Sequence, residues 1–437
     1  MDDIMVWSIR NYVFKSRHYG WLLYAGNSGS ILSLDNNIVN NFNNFKSGDF
    51  SSLNQDAISL LKKYGVIIDI TDDDLLDIII TKSMRIKCSN SVFSLSICPS
   101  NSCNFNCSYC FEDETFRNLS SDDIMNDETI SNLIVYIKNT GSKKIHTTFF
   151  GGEPLLGIES IIKFHKELKK TEIELEYEMI TNGYLLNQEN IEILDSLPIS
   201  LYQITIDGFE EEHNKRRPHL KYGDSYSKII NNLYILDSYY KNKNKRPIVH
   251  IRVNIDKTNK DVYHKLYYEI IKMFQNLCIP YASFVHDKNS SVKNINIMSK
   301  EEKVKFILDN YNNYGIFDYS LNLDSKFKLN YCIADSVNSL VIDSNGNTYK
   351  CLHDIGNKEK ILFNINSEGN YNELLESRYM LKASPFFDNS CKKCFLLFSC
   401  FGGCPFERLN NNKTCLLTKY SPKKFFEMYY ERICSDK

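Results

Sequence analysis

Most of the fourteen cysteines in this 437-residue chain fall into two short windows, Cys98–Cys110 and Cys391–Cys415, with Cys332 and Cys351 standing between them. Clustered thiols serve either a disulfide framework in an exported protein or metal and redox chemistry inside a cell. The N-terminus does not read as an export signal. Asp2 and Asp3 stand where positive charge is expected, and no apolar core follows. The cysteines are therefore expected to bind metal or do catalysis in a cytoplasmic protein. No run reaches the roughly 18 apolar residues of a membrane span, so no membrane partner is expected. The formal charge of −2 gives no global basic field, so nucleic acid is not an expected partner either. The basic run Lys241–Arg246 (KNKNKR) reads as a solvated loop.

Three zones follow from the pattern along the chain. Residues 1–85 hold no cysteine and open with a hairpin-like stretch: Tyr19–Tyr24 as a strand, Gly26–Gly29 as a turn and Ser30–Leu34 as the return. Short helices over Asn36–Phe45 and Leu53–Lys63 and a strand over Val66–Ile70 complete a small winged-helix-like module. Residues 86–310 alternate strand and helix. The strands are placed at Val92–Ile97, Ile145–Phe150, Leu175–Ile180, Tyr202–Ile206, Val249–Ile255 and Ala282–Val285. Helices are placed at Ile158–Lys169, Gln188–Leu197, Ser227–Tyr240 and Val262–Leu277. Such repetition predicts an α/β fold, a parallel sheet curled into a partial (β/α)6 TIM-like barrel, with chemistry at the C-terminal ends of the strands. Residues 311–437 are less regular and hold eight of the fourteen cysteines.

The first barrel strand leads into Cys103-Asn-Phe-Asn-Cys107-Ser-Tyr-Cys110-Phe, a C-x3-C-x2-C loop with an aromatic at Tyr109. Three thiolates from one loop can ligate three irons of a [4Fe–4S] cube. The fourth iron is then open to an exogenous chelate, such as the amino and carboxylate groups of S-adenosylmethionine (SAM). A structural zinc site would need a fourth ligand, for which Cys98 is the neighbour to hand, although its strand position suits a buried thiol.

Cys103–Phe111 resembles the signature of the radical SAM superfamily, and later segments agree with it in order. Phe149–Pro154 (FFGGEP) is similar to the superfamily's GGE motif. Thr181-Asn182-Gly183 and Thr205-Ile206-Asp207-Gly208 are similar to its SAM-lining strand ends. The resemblance spans about residues 92–290. It implies that Gly151 and Gly152 let the backbone approach SAM closely, and that Glu153 accepts a bond from its amino group. It also implies that Thr205 and Arg217 bind the SAM carboxylate and that Asn182 approaches the ribose. Ile251–Asn254 ends another strand without an assigned role.

Cys332, Gly346 and Cys351, then Cys391-x2-Cys394-x5-Cys400-x3-Cys404 and Cys415, resemble the seven-cysteine SPASM domain, which holds up to two auxiliary [4Fe–4S] clusters. A zinc ribbon is the alternative for Cys391–Cys404 alone. The resemblance implies one cluster on Cys391, Cys394, Cys400 and Cys415, and a second on Cys332, Cys351 and Cys404. That second cluster either keeps an open iron or is completed by Cys278 or Cys434. Cys434 also competes with Cys415, while Cys88 and Cys98 read as ordinary thiols.

Together these features imply a radical SAM enzyme that modifies a ribosomally made peptide, forming a thioether or a carbon–carbon crosslink. The N-terminal module would hold a leader on an edge strand. Expected partners are a precursor peptide with its leader and an electron donor such as flavodoxin or ferredoxin. One alternative is an anaerobic sulfatase-maturating enzyme, for which Asp287 would be the acidic candidate. Another is a non-enzymatic iron–sulfur electron carrier or scaffold, which would need neither an open iron nor Glu153.

Overall fold

A computed structural model describes residues 4–110, 112, 123–275, 277–286, 296–317, 329–330 and 332–435. Asp287 lies outside these residues. Thirteen strands are found among them. In the N-terminal part they are β1 (Val6–Trp7), β2 (Asn11–Lys15), β3 (Trp21–Ala25), β4 (Ser30–Leu34) and β5 (Ile67–Ile68). The barrel strands are β6 (Val92–Ile97), β7 (Lys144–Phe149), β8 (Glu174–Thr181), β9 (Ile199–Thr205), β10 (Ile248–Ile255) and β11 (Cys278–Phe284). Two more, β12 (Ser339–Ile342) and β13 (Thr348–Tyr349), come from the C-terminal third.

Strands β6 to β11 pair in parallel in sequence order, each joined to the next through helix, so the chain builds an α/β fold around a large, mostly parallel sheet. Local chemistry sets the helix starts. Asn126 caps the helix Asp127–Asn139 by accepting from Thr129 N, and Asn187 caps Gln188–Asp195 by accepting from Asn190 N. Along β10 the buried Val249, Ile251 and Val253 alternate with the half-buried His250 and Arg252, so one face packs beneath helices. The polar face of this alternation points into the barrel.

The structure amends the expected organisation at both ends. In the N-terminal module the hairpin gains a third strand, β2, in an antiparallel sheet of order β2-β3-β4. The predicted strand Val66–Ile70 shrinks to Ile67–Ile68, paired with Val6–Trp7. A 16-residue helix, Asp72–Lys87, follows, started by a capping box between Thr71 and Asp74. At the other end, β12 pairs in parallel with β6, so the C-terminal third continues the barrel sheet.

The N-terminal sheet also packs against the C-terminal third. Tyr24 stacks on Phe426 with ring centroids 4.2 Å apart, and Tyr12 on Phe395 at 4.8 Å. The Tyr24 hydroxyl lies 2.8 Å from Ser399 Oγ. Leu76 and Ile79 of the helix Asp72–Lys87 share a buried cluster with Phe386, Cys391, Leu397, Phe398 and Phe401.

Candidate active site and cysteine clusters

At the C-terminal ends of the barrel strands a cavity of ≈ 320 Å³ opens, lined by Cys103, Cys107 and Cys110 together with Gly151 and Gly152. Its size lies within the range of small-molecule pockets. The cysteine loop is held from two sides. Asn106 N donates to Pro218 O and Ser108 N to Arg216 O, both at 3.0 Å. On the other side, Glu153 N donates to Ser102 O at 2.9 Å. A Cβ on Gly152 would stand 2.2 Å from Ser102 O, so only glycine allows this backbone-on-backbone contact. Gly151 adopts φ +116°, and a Cβ there would meet Cys98 Sγ at 2.1 Å. Cys98 itself is fully buried and donates to Ser100 O at 3.1 Å, an ordinary packed thiol as expected.

Asn182, Thr205 and Arg217 line the same cavity. Asn182 Nδ2 donates to Asn104 Oδ1 at 2.7 Å. Glu153 does not line it. It is fully buried and its carboxylate is engaged by the protein: Oε1 accepts from Thr181 Oγ1 (2.6 Å) and Leu155 N (3.1 Å), and Oε2 from Asn182 N (2.8 Å). The motif resemblance gives its order in the chain but not its direction, and here the carboxylate braces the loop behind the wall.

The carboxylate that does line the cavity is Glu112, which sequence reasoning missed. It is buried, its Oε1 has no hydrogen-bond partner, and burial alone pushes its carboxyl up to about 8. Its only sequence signal is a position two residues beyond Cys110.

Tyr109 lies at the centre of a polar network. Its hydroxyl donates to Asp207 Oδ2 and accepts from Arg217 at 2.7 Å and from Asn254 Nδ2 at 2.9 Å. Arg216 reinforces it, bonding Asp256 at 2.6 Å and Asn254 O at 2.9 Å with its guanidinium over the Tyr109 ring. Towards β11 the wall is completed by Gln203, Phe284, His286 and Arg252, the last noted from sequence only as part of the strand end Ile251–Asn254. The period-two alternation of β9 and β10 was their available signal.

Cys391, Cys394, Cys400 and Cys415 line a second, small cavity. The thiols of Cys332, Cys351 and Cys404 lie near enough to feel one another's charge. Leu352 and His353, directly after Cys351, line the first cavity, so this trio borders the SAM-sized pocket. Neither proposed fourth ligand joins the trio. Cys278 starts β11 with Asp237 as its charged neighbour, and Cys434 is exposed beside Tyr430. Among the described residues no three His, Cys, Asp or Glu side chains converge closely enough to hold a single metal ion.

Residues 97–267 match the radical SAM superfamily. Over those residues the chain carries a radical SAM domain. Its cofactors are accordingly SAM and [4Fe–4S] clusters, and it is an enzyme. A cysteine-type anaerobic sulfatase-maturating enzyme of Clostridium perfringens is 25% identical over 366 residues, 78% of this chain and 97% of that one. Two solved structures share the fold. One is anSMEcpe with bound AdoMet and Kp18Cys peptide, at TM-score 0.61 and 22% identity, over 79% of this chain and 98% of that one. The other is Streptococcus suis SuiB bound to precursor peptide SuiA, at TM-score 0.52 and 14% identity, over 92% of this chain and 95% of that one. No described helix of the radical SAM chain is long and apolar enough to cross a membrane.

Proposed function

We propose that the enzyme modifies a ribosomally made peptide, joining two of its residues by a thioether or carbon–carbon bond. The observation that carries this reading is the single cavity bordered by the Cys103–Cys110 loop on one side and by the residues after Cys351 on the other. One end suits SAM and the other a substrate within reach of an auxiliary cluster.

The residues present fit the cofactors. Cys103, Cys107 and Cys110 would hold the SAM-binding cluster, and Cys391, Cys394, Cys400 and Cys415 one auxiliary cluster. Cys332, Cys351 and Cys404 would hold the other and leave one iron without a cysteine from this chain. When bound, cluster and SAM supply a radical able to take a hydrogen atom from carbon. The chain's residues orient the reactants. Arg217 and Thr205 face a carboxylate, Asn182 a ribose, and Glu112, the carboxylate on the wall, accepts a hydrogen bond from the amino group in place of Glu153. Gly151 and Gly152 allow the close approach, and Phe284 and Val285 keep water from the substrate end. A flavodoxin- or ferredoxin-like donor would supply the electron.

The N-terminal module serves as the leader site in this reading. Strand β4 is an edge of its sheet, while Tyr12 and Phe14 of the other edge, β2, pack on Phe395 and Phe426. An extended leader would pair with β4. The second reading, formylglycine formation in a sulfatase, draws on the full-length similarity to the Clostridium perfringens enzyme.

One experiment separates the two. Reconstituted enzyme is reduced with SAM and the short peptides encoded beside its gene, and products are read by mass spectrometry. A crosslink removes a pair of hydrogens and keeps every sulfur, whereas formylglycine formation from cysteine expels the sulfur. A peptide that loses its sulfur, or no peptide product beside active SAM cleavage, would overturn the crosslinking reading.

A further inference from the structure

The alternation that buries Val249, Ile251 and Val253 of β10 turns Arg252 into the barrel, where it lines the cavity. In register it neighbours Thr205 of β9 on one side and Tyr281 of β11 on the other. Its Nε donates to Asn254 Oδ1 at 2.9 Å, which fixes the side chain along the strand and leaves the terminal nitrogens for other partners. The other arginines around the site are matched: Arg216 with Asp256 at 2.6 Å, Arg217 with Tyr109 at 2.7 Å. Among the described residues no carboxylate pairs with Arg252.

Charge accounting makes that cation informative. Glu112 is the acidic residue among those lining the cavity. The SAM carboxylate has Arg217 and Thr205 as its assigned partners, so it does not claim Arg252. A guanidinium in a partly dry site wants an anion, ideally one that takes two parallel N–H bonds. Next to it, Gln203 Oε1 accepts from the Tyr281 hydroxyl at 2.6 Å, which turns its amide nitrogen, another donor, to the cavity. The substrate end thus offers donors from both Arg252 and Gln203.

We propose that Arg252 is a specificity-determining residue that pairs with a carboxylate of the substrate peptide, close to the carbon that loses hydrogen. This rests on the peptide-modifying reading and narrows its substrate class to segments carrying a carboxylate there, from an Asp or Glu side chain or from the chain terminus.

The test uses SAM-loaded, cluster-reconstituted full-length enzyme and pools of amidated pentapeptides with acidic, neutral or basic central residues. A neutral pool with a free C-terminus is included. Binding is read by competition against a fluorescent acidic pentapeptide, and SAM affinity is measured in parallel. Wild type is expected to bind the acidic pool about tenfold more tightly than the amidated neutral pool. Arg252→Gln removes that preference and Arg252→Glu turns it towards the basic pool, while SAM affinity stays constant. Preference for the free-terminus pool instead assigns the carboxylate to the chain end. Equal binding of all pools by wild type overturns the proposal and leaves the peptide reading standing. Loss of SAM affinity in Arg252→Gln overturns it by making Arg252 a SAM ligand. Binding of no pool removes the peptide reading, and the proposal with it.

Discussion

The Tyr109 hydroxyl sits 2.7 Å from a guanidinium nitrogen of Arg217, so the aromatic of the cysteine loop and the end of the His213–Arg217 segment form one unit. Tyr109→Phe would leave Arg217, Asn254 and Asp207 each short of a buried partner. Each unsatisfied group costs about 1–3 kcal/mol. The variant is expected to unfold at lower denaturant, and the reconstituted form to bind SAM more weakly because Arg217 is released. Unchanged values of both would dissolve the unit.

Glu153 and Glu112 should separate bracing from binding. Glu153→Ala strips acceptors from Thr181, Asn182 and Leu155 in a fully buried place, so it is expected to lower stability by several kcal/mol, at about 1–3 for each orphaned donor. Glu112→Gln keeps the shape of a side chain whose Oε1 has no partner among the described residues. It is expected to leave stability equal or higher and weaken SAM about tenfold. Equilibrium SAM binding and chemical unfolding on both variants decide the matter, and the reverse pattern contradicts it.

His213 predicts an acid limb. It is fully buried, its Nδ1 accepts from Asp207 N at 3.2 Å, and burial, helped by Arg217 and Arg216, pushes its pKa well below 6.5. The unfolded chain takes a proton below about pH 6.5 that the folded one refuses, so stability falls as pH drops through that value and is unaffected above it. The limit is about 1.4 kcal/mol per pH unit for one proton. His213→Asn is expected to flatten the unfolding curve between about pH 5 and 6.5. An unaltered slope would place the proton elsewhere.

The N-terminal module packs against the segments that carry the second cysteine cavity. Removing residues 1–85 strips Tyr12 and Tyr24 from Phe395 and Phe426, and Leu76 and Ile79 from Phe398 and Phe401. Losing several large buried side chains costs on the order of 3–5 kcal/mol each. The truncation is expected to lose about four irons, one cube's worth, along with the leader site. Full iron content in the truncated protein would show the module to be an appendage.

The barrel was legible because its strands are apolar runs separated by helical patterns and most lead into a motif, so all six were placed from the sequence within a few residues. The grouping of the later cysteines came from the SPASM resemblance and not from spacing, since Cys404 stands between Cys400 and Cys415; Cys391, Cys394, Cys400 and Cys415 line one cavity. Direction was not legible. Nothing in GGEP says that Glu153 turns away from the cavity, because the turn depends on donors at Leu155, Thr181 and Asn182. Strand β12 was missed because Ser339–Ile342 is buried on both faces and shows no alternation. Arg252 was visible as a residue, yet its lack of a carboxylate partner among the described residues belongs to the assembled barrel.

The central claim is that Cys103, Cys107 and Cys110 hold the cluster at which SAM is cleaved. Iron, sulfide and 5′-deoxyadenosine are measured on anaerobically reconstituted wild type and on the variant with all three cysteines changed to Ala. Wild type is expected to hold about twelve irons with matching sulfide and to release 5′-deoxyadenosine once reduced; the variant should hold about eight and release none. Stoichiometric zinc without sulfide in the wild type, or SAM cleavage by the triple variant, would contradict the account.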